Sequence, residues 1–192
     1  MTDGPLLWYL NRSTGVVLLV AFTLSTVLGV LATRGRAGGR LPAFVTQHLH
    51  RNLSLLSLAV LAGHITTAVV DTYVDIRWWQ ALVPFGATYE PLPFELGVIA
   101  LDLGVVIAVS SLVRRWLPPR GWKALHLTAY AAWGCAVAHS WGIGTDLKAD
   151  APPWGRLVVA GCVAVVACAV VYRVLTAATP DPQRPTVSAG AR

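Results

Sequence analysis

Four histidines lie inside long apolar stretches of the sequence, in two pairs of similar spacing. His50 and His64 are fourteen positions apart, and His126 and His139 are thirteen apart. Fourteen residues of α-helix make just under four turns, so His50 and His64 are predicted to project from nearly the same helix face, about 21 Å apart along the axis. Imidazoles are uncommon in hydrocarbon and usually face the interior of a helix bundle, where they have a polar partner or a functional role.

The chemistry open to such pairs is metal ligation. A neutral imidazole offers one ring nitrogen to a metal, and its other N–H needs an acceptor that fixes the tautomer. Two facing helices of this kind would present one imidazole pair near each membrane surface, as two stacked, six-coordinate hemes require. Candidate acceptors for the ring N–H groups are Thr66, Thr67, Ser140 and carbonyls one turn back.

Each histidine also has a simpler interpretation, in which it bonds to a neighbouring carbonyl or hydroxyl of the bundle. The matched spacings of all four favour a shared kind of ligand over four independent hydrogen bonds. An alternative from another class is a heme-free transporter or scaffold, in which the histidines and Asp102 form a proton or metal path. Transporters more often show internal repeats or broken spans, and the sequence predicts neither.

Composition indicates a membrane protein. The 192 residues are 55% hydrophobic and 12% charged, with a mean hydropathy of +0.60, which is typical of an integral membrane protein of one domain. The net charge of +6 comes from bases at the ends of apolar runs, which predicts membrane topology rather than nucleic-acid binding. Cys135, Cys162 and Cys168 form no CxxC motif and are interpreted as packing residues.

The predicted fold class is all-α, an integral membrane bundle of five transmembrane helices, because backbone polar groups in lipid must bond within their own segment. Residues 14–176 form a single heme-binding transmembrane domain in this prediction. Residues 1–13 are predicted to be an interfacial segment and residues 177–192 a disordered cytoplasmic tail. The five charge-free stretches of membrane-crossing length are approximately 14–33, 52–70, 96–113, 124–144 and 157–172.

Basic residues predict the orientation of the bundle. Eleven of them follow the first, third and fifth spans and four lie on the other side, which places the N-terminus outside and the C-terminus in the cytoplasm. Arg12 is the only base before the first span, which favours an uncleaved span over a signal peptide. The second and fourth spans then run parallel. His50 and His126 therefore share the cytoplasmic depth (the inner pair), and His64 and His139 share the outer depth (the outer pair).

The spacing of thirteen leaves His126 and His139 about 140° out of phase on an ideal helix. Rotation of the hemes, helix tilt or a local irregularity near Gly134 is expected to absorb the difference. His48 is a fifth candidate ligand and is interpreted as a loop histidine.

Other polar residues near the spans are given lesser roles. Asp102, the one acid within a span, is expected to make a structural hydrogen bond, with proton handling as the alternative. The aromatic outer loop from Tyr73 to Pro93 is expected to cover the outer site as a cap. Four bases at the depth of the inner heme's propionates are interpreted chiefly as topology anchors: Arg51, Arg114, Arg115 and Lys123.

Two strings carry a resemblance to a known family. The string HLHR followed by twelve residues and a histidine, and the string GWKALHLTAYAAWGCAVAHSWG, resemble the ferric-reductase-like transmembrane domain. That family includes NADPH oxidases, ferric reductases and the heme-binding membrane subunit of the bacterial periplasmic methionine sulfoxide reductase system. The resemblance covers roughly residues 15–175. It implies two stacked b-type hemes whose iron ligands are His50, His64, His126 and His139.

The sequence departs from the family pattern in two respects. Eukaryotic-type members usually have six spans, and they continue into a cytoplasmic domain that binds FAD and a nicotinamide nucleotide. Here five spans are predicted, and the sequence contains no glycine-rich phosphate fingerprint. The electron donor is therefore expected to be a separate cytoplasmic reductase or a membrane quinol.

The function expected from these features is transmembrane electron transfer by a multi-pass subunit of an oxidoreductase in the plasma (inner) membrane. Electrons would pass from a cytoplasmic flavoprotein or a quinol to the inner heme, then to the outer heme and an extracytoplasmic acceptor. No catalytic residue and no nucleic-acid partner is expected. The alternative within the redox class is a quinol-oxidising cytochrome b that carries electrons in the opposite direction.

Overall fold

The computed structural model describes residues 6–32, 36–37, 41–72, 74 and 76–177. Most of that part is helical, and a two-residue antiparallel ladder joins β1 (Arg36–Ala37) to β2 (Leu41–Pro42). The predictions for residues 1–5 and for the tail 178–192 lie outside the described residues. The helices are α1 (Leu6–Ala32), α2 (Ala43–Val70), α3 (Pro91–Leu112), α4 (Pro119–Leu127), α5 (Ala129–Ile143) and α6 (Trp154–Ala177).

Four of the described helices are long and apolar enough to cross a membrane. The shortest of them have 22 residues, which is about 33 Å of helix against a hydrocarbon core of about 30 Å. The all-α fold and the membrane character predicted from the sequence are confirmed at this level. The membrane-length segments are Leu6–Ala32, Phe44–Val70, Pro91–Leu112 and Trp154–Leu175.

The fourth predicted span is divided between α4 and α5, which have 9 and 15 residues. Thr128 separates the two helices. Its N–H bonds to the Leu125 carbonyl, three residues back, at 3.1 Å, and its hydroxyl donates to the same carbonyl at 2.6 Å. The Thr128 carbonyl accepts the N–H of Ala132 at 2.9 Å. The break is therefore a tightened turn with paired backbone groups, not an unwound segment.

The helices begin earlier than the charge-free stretches indicate, and the difference is largest for α1 and α2. α1 begins at Leu6, so residues 6–13 are helical and continuous with the first predicted span. α2 begins at Ala43, which places His48 on an exposed part of a helix rather than in a loop. The physical reason is that a helix satisfies its own backbone groups and can continue past the apolar region, with charged side chains at its polar end.

α1 is the central helix of the bundle. It packs against α2, α5 and α6, whereas α3 packs chiefly against α5 and also contacts α4. α2 makes no comparable backbone approach to α4 or α5. The two histidine-bearing regions of the chain therefore face each other without close helix packing between them.

Apolar contacts join α1 to α6, where Leu19 packs with Val159 and Cys162. The burial of Cys162 in this cluster agrees with its interpretation as a packing residue. Cys135 and Cys168 are also free thiols. A polar contact joins α1 to α5, because Trp133 Nε1 on α5 donates to Thr23 Oγ1 on α1 at 3.0 Å.

An ion pair fixes the start of α1 beside the end of α5. The Arg12 guanidinium donates to the carboxylate of Asp146, which lies in the short 3₁₀ turn after α5. Asp146 is only 5% exposed, and a buried carboxylate without a partner is strongly destabilising. The sequence indicated Arg12 only as a topology signal, and its partner 134 positions away was not predicted.

Candidate functional site

Three of the four predicted ligands donate a ring N–H to a backbone carbonyl of a neighbouring helix. His50 Nδ1 lies 2.9 Å from the carbonyl of Ser25 on α1. His64 Nδ1 lies 3.0 Å from the carbonyl of Asn11, also on α1. The same contact recurs for His139, whose Nδ1 lies 2.9 Å from the carbonyl of Pro93 on α3.

Each of these carbonyls stands four residues before a glycine, and the glycine lets the imidazole approach the helix. A Cβ at Gly15 would meet His64 Cε1 at 3.2 Å, and one at Gly29 would meet His50 Cε1 at 3.3 Å. The contact on α3 is tighter. There a Cβ at Gly97 would lie 2.5 Å from the Nδ1 of His139, closer than side chains can approach.

These three hydrogen bonds from Nδ1 to a backbone carbonyl, called tethers below, fix the tautomer of the histidines. A backbone carbonyl only accepts hydrogen bonds, so the Nδ1 that faces it must carry the hydrogen. The Nε2 of a neutral ring then carries the lone pair, which is the form that ligates a metal. Two hydroxyls lie near the same nitrogens, with Thr14 Oγ1 3.2 Å from His64 Nδ1 and Ser25 Oγ 3.3 Å from His50 Nδ1.

The acceptors predicted from the sequence do not serve this purpose. Thr66 Oγ1 donates to the Ala62 carbonyl at 2.7 Å, and Thr67 Oγ1 donates to the carbonyl of His64 itself at 2.9 Å. The Ser140 hydroxyl makes no hydrogen bond with the described residues. The acceptors observed in the structure lie on α1 and α3.

A signal for the α1 tethers was present in the sequence. Gly15 and Gly29 are fourteen residues apart, as are His50 and His64. α1 and α2 run antiparallel, so the second glycine meets the first histidine and the first glycine meets the second. Equal spacing of glycines and histidines on neighbouring helices is the pattern that would have predicted both contacts.

The structure brings the inner pair together. The ring centres of His50 and His126 are 6.1 Å apart, and the ring planes are inclined by 75°. A metal–imidazole bond is about 2 Å long, so the ring centres of two imidazoles on opposite sides of one metal lie about 6 Å apart. Of the outer pair, His64 contacts α1 and His139 contacts α3 through the hydrogen bonds described above.

His126 differs from the other three histidines. Its Nδ1 is buried and has no hydrogen-bond partner among the described residues. The ring instead stacks on Trp122, with ring centres 4.9 Å apart and planes inclined by 25°. The guanidinium of Arg114 lies 4.0 Å from the centre of the Trp122 ring, so a cation, an indole and the imidazole are neighbours.

The phase difference between His126 and His139 coincides with the break at Thr128. Each residue of a 3₁₀ turn advances by about 120°, compared with about 100° in an α-helix. Each residue of the tightened turn therefore reduces the phase difference between the two histidines by about 20°. The irregularity lies at Thr128 rather than near Gly134, which is inside the uninterrupted part of α5.

Most of the other sequence candidates are not joined to this site. His48 and Arg51 are exposed on α2. Asp102 on α3 makes no hydrogen bond or ion pair with the described residues, so the expected structural hydrogen bond is not formed there. In the outer loop, where Tyr73 lies outside the described residues, Trp78 is 68% exposed and Phe85 73% exposed. This segment contacts the outer pair through its last residue, Pro93, whose carbonyl accepts from His139.

The donor set of the site consists of paired imidazoles. Within the described residues, no group of three or more His, Cys, Asp or Glu side chains is placed to hold a metal ion. A heme supplies four nitrogens from its macrocycle and needs only one or two axial ligands from the protein. The imidazole pairs match that requirement in number and in donor type.

The fold and the site thus define a helical protein with membrane-length segments and four histidines, three of which are bonded through Nδ1 to a backbone carbonyl of another helix. The chain belongs to the family defined by a domain of unknown function, DUF8596, whose family model matches residues 6–146. The matched region contains all four histidines, their three carbonyl acceptors and both members of the Arg12–Asp146 ion pair. No curated protein and no solved structure matches the chain.

Proposed function

We propose that this protein is a diheme cytochrome b that carries electrons across a membrane. The observation that supports the proposal most strongly is the repeated histidine construction. Three imidazoles are held by the same carbonyl-and-glycine contact, which leaves each Nε2 as the ligating nitrogen. The same contact made three times favours a shared role for the three Nε2 atoms over three unrelated hydrogen bonds between helices.

Two further observations favour heme at these positions. The 6.1 Å separation of the His50 and His126 rings is suited to one iron between them. α2 does not pack closely on α4 or α5, which is what flat macrocycles inserted between these helices would require. The residues present therefore fit two b-type hemes, one for the inner pair and one for the outer pair.

In the proposed topology α4 and α5 together form the fourth of five membrane spans. The 25 residues from Pro119 to Ile143 would extend about 37 Å. The Arg12–Asp146 ion pair supports this arrangement, because it joins the start of the first helix to the end of α5 at one membrane surface. The excess of bases after the first, third and fifth spans assigns that surface to the outside and the C-terminus to the cytoplasm.

Within this proposal the residues of the chain bind, orient and shield. Heme supplies the one-electron chemistry when bound. The carbonyls of α1 and α3 hold the imidazole rings at fixed orientation and raise their basicity as ligands. Fourteen residues of α2 separate the inner from the outer pair, about 21 Å along the helix, and the apolar side chains of the bundle exclude water between them.

The protein is then the electron-transfer subunit of a ferric-reductase-like oxidoreductase in the plasma (inner) membrane. A separate cytoplasmic flavoprotein or a quinol would donate at the inner pair, and an extracytoplasmic acceptor would be reduced at the outer pair. A quinol-oxidising cytochrome b would use the same ligands with the opposite direction of flow.

Heme content tests the proposal. Protein purified from cells with adequate heme is expected to contain close to two hemes per chain, with a six-coordinate, low-spin spectrum. The sequence has no CxxCH attachment motif, so the heme should extract into acidic organic solvent. His48→Ala is the matched control, because His48 is an exposed histidine of the same helix, and this variant should keep both hemes. Colourless protein would contradict the proposal.

A further inference from the structure

The four histidines are not equivalent in how they are held. Both members of the outer pair donate Nδ1–H to a carbonyl, from His64 to Asn11 and from His139 to Pro93. In the inner pair only His50 has such an acceptor. The Nδ1 of His126 is buried without a partner among the described residues. The inner site therefore has one tethered and one untethered imidazole.

His126 is oriented by stacking instead of by a hydrogen bond. Trp122 lies one helical turn before it on α4, with the two rings nearly parallel at 4.9 Å. The Arg114 guanidinium also contacts the Trp122 ring, at 4.0 Å from its centre. The indole Nε1 of Trp122 is also buried without a partner among the described residues. These contacts fix the plane of the imidazole and place a positive charge near it, but none accepts its proton.

The difference in contacts has an electronic consequence. A hydrogen-bond acceptor on the distal ring nitrogen raises the basicity of a ligating imidazole. A more basic ligand favours the oxidised, more positive iron and so lowers the reduction potential. His126 lacks such an acceptor, and the nearby cation of Arg114 further favours the reduced, less positive site.

We infer that Trp122 and Arg114 are positioning residues for His126, and that their stack gives the inner heme the higher reduction potential of the two. The inference rests on the proposed function, because it assumes that the inner and outer pairs each hold a heme. A single electron added to the oxidised protein then resides mainly at the inner site. Outward transfer is the uphill step, which the external acceptor completes by withdrawing the electron.

A redox titration of the purified holoprotein, followed by its heme spectrum, tests this inference. A variant that lacks both outer histidines, His64→Ala with His139→Ala, assigns the inner potential. Trp122→Leu and Arg114→Gln are each expected to shift the inner equilibrium at least tenfold towards the oxidised form, which corresponds to about 59 mV for a one-electron couple. The outer potential should not change.

The chain contains a matched control for the stack. Arg115 lies 4.5 Å from the ring centre of Trp116, which is the same kind of cation–aromatic contact without a histidine beneath it. Arg115→Gln and Trp116→Leu should therefore leave both potentials unchanged. Trp122→Phe keeps an aromatic ring under Arg114 and should restore most of the wild-type potential and the low-spin signal of the inner site.

The possible outcomes separate the two levels of the proposal. Protein without heme would contradict the proposed function itself. Protein with two hemes in which the outer site has the higher potential would overturn only the present inference. If Arg114→Gln shifts the inner potential no more than Arg115→Gln does, the present inference is also overturned, and the proposed function is not. If Trp122→Leu fails to retain the inner heme, Trp122→Phe and Arg114→Gln still decide the question.

Discussion

Gly97→Ala is expected to eliminate the outer heme while leaving the inner heme bound. The added Cβ would lie 2.5 Å from Nδ1 and 2.7 Å from Cε1 of His139, so the imidazole must move away from α3. That movement breaks the hydrogen bond to the Pro93 carbonyl, which holds the ring and its tautomer. The measurement is heme content together with the low-spin spectrum of purified protein, and half of the wild-type heme is expected.

The controls for this substitution form a graded series. Gly104→Ala changes the same helix two turns away, where an added Cβ meets nothing within 4 Å, and both hemes should remain. Alanine is also the better helix former, by about 0.8–1 kcal/mol, so helix propensity does not explain a loss at Gly97. Gly15→Ala and Gly29→Ala, at 3.2 and 3.3 Å from their histidines, should have intermediate effects. An equal heme content in the Gly97→Ala and Gly104→Ala variants would contradict the claim that the His139–Pro93 hydrogen bond is needed to hold the outer heme.

Removing one true ligand pair is expected to delete one heme and to spare most of the other's spectrum. His50→Ala with His126→Ala should remove the inner heme, because the two rings are 6.1 Å apart and no ligand of that iron would remain. His64→Ala with His139→Ala should remove the outer heme. The mixed combination, His50→Ala with His139→Ala, should damage both sites, because each iron keeps a single axial ligand.

The comparison among these double variants is decisive because all of them remove two histidines. The mixed variant should show five-coordinate, high-spin signals or low occupancy at both sites. If it instead lost one heme cleanly, while the inner-pair variant lost both, the pairing would be wrong. The parallel arrangement of the second and fourth spans, from which the pairing was first predicted, would then be wrong as well.

The sequence was sufficient for the features that depend on composition along one segment. Long charge-free runs predicted membrane-length helices, and four of them are present. Those runs mark only the apolar part of a helix, so they missed the first turns of α1 before residue 14 and of α2 before residue 52. Polar and charged residues such as Arg12 and Arg51 lie in helices whose backbone is already satisfied.

Features that depend on two distant segments could not be read from one of them. The buried partner of Arg12 is Asp146, in a turn at the far end of another helix. The acceptors for His50 and His64 are backbone carbonyls. Because every residue has one, no residue type in the sequence indicates which carbonyl is the acceptor. Only the glycines that permit the approach carry a signal, and reading it requires knowing that α1 and α2 are antiparallel neighbours.

The break between α4 and α5 shows a third limit. Thr128 is neither proline nor glycine, and at the break its hydroxyl donates to the Leu125 carbonyl at 2.6 Å. Threonine bonds of this type occur within many helices without breaking them. The misfit of thirteen residues between His126 and His139 predicted rotation of the hemes, helix tilt or a local irregularity. It did not predict where an irregularity would lie, and the glycine at 134 was the wrong candidate.

Electron transfer across a sealed membrane tests the proposed function most directly. Purified protein would be placed in lipid vesicles that enclose ferricyanide, with a membrane-impermeant reductant added outside. Heme-loaded wild-type protein and the His48→Ala control are expected to reduce the enclosed ferricyanide much faster than empty vesicles. Removing both outer histidines should reduce that rate to the level of empty vesicles, while the inner heme is still detected. Heme-loaded wild-type protein that transfers no faster than empty vesicles, or an outer-pair variant that transfers as fast as wild type, would contradict electron transfer through the two histidine pairs.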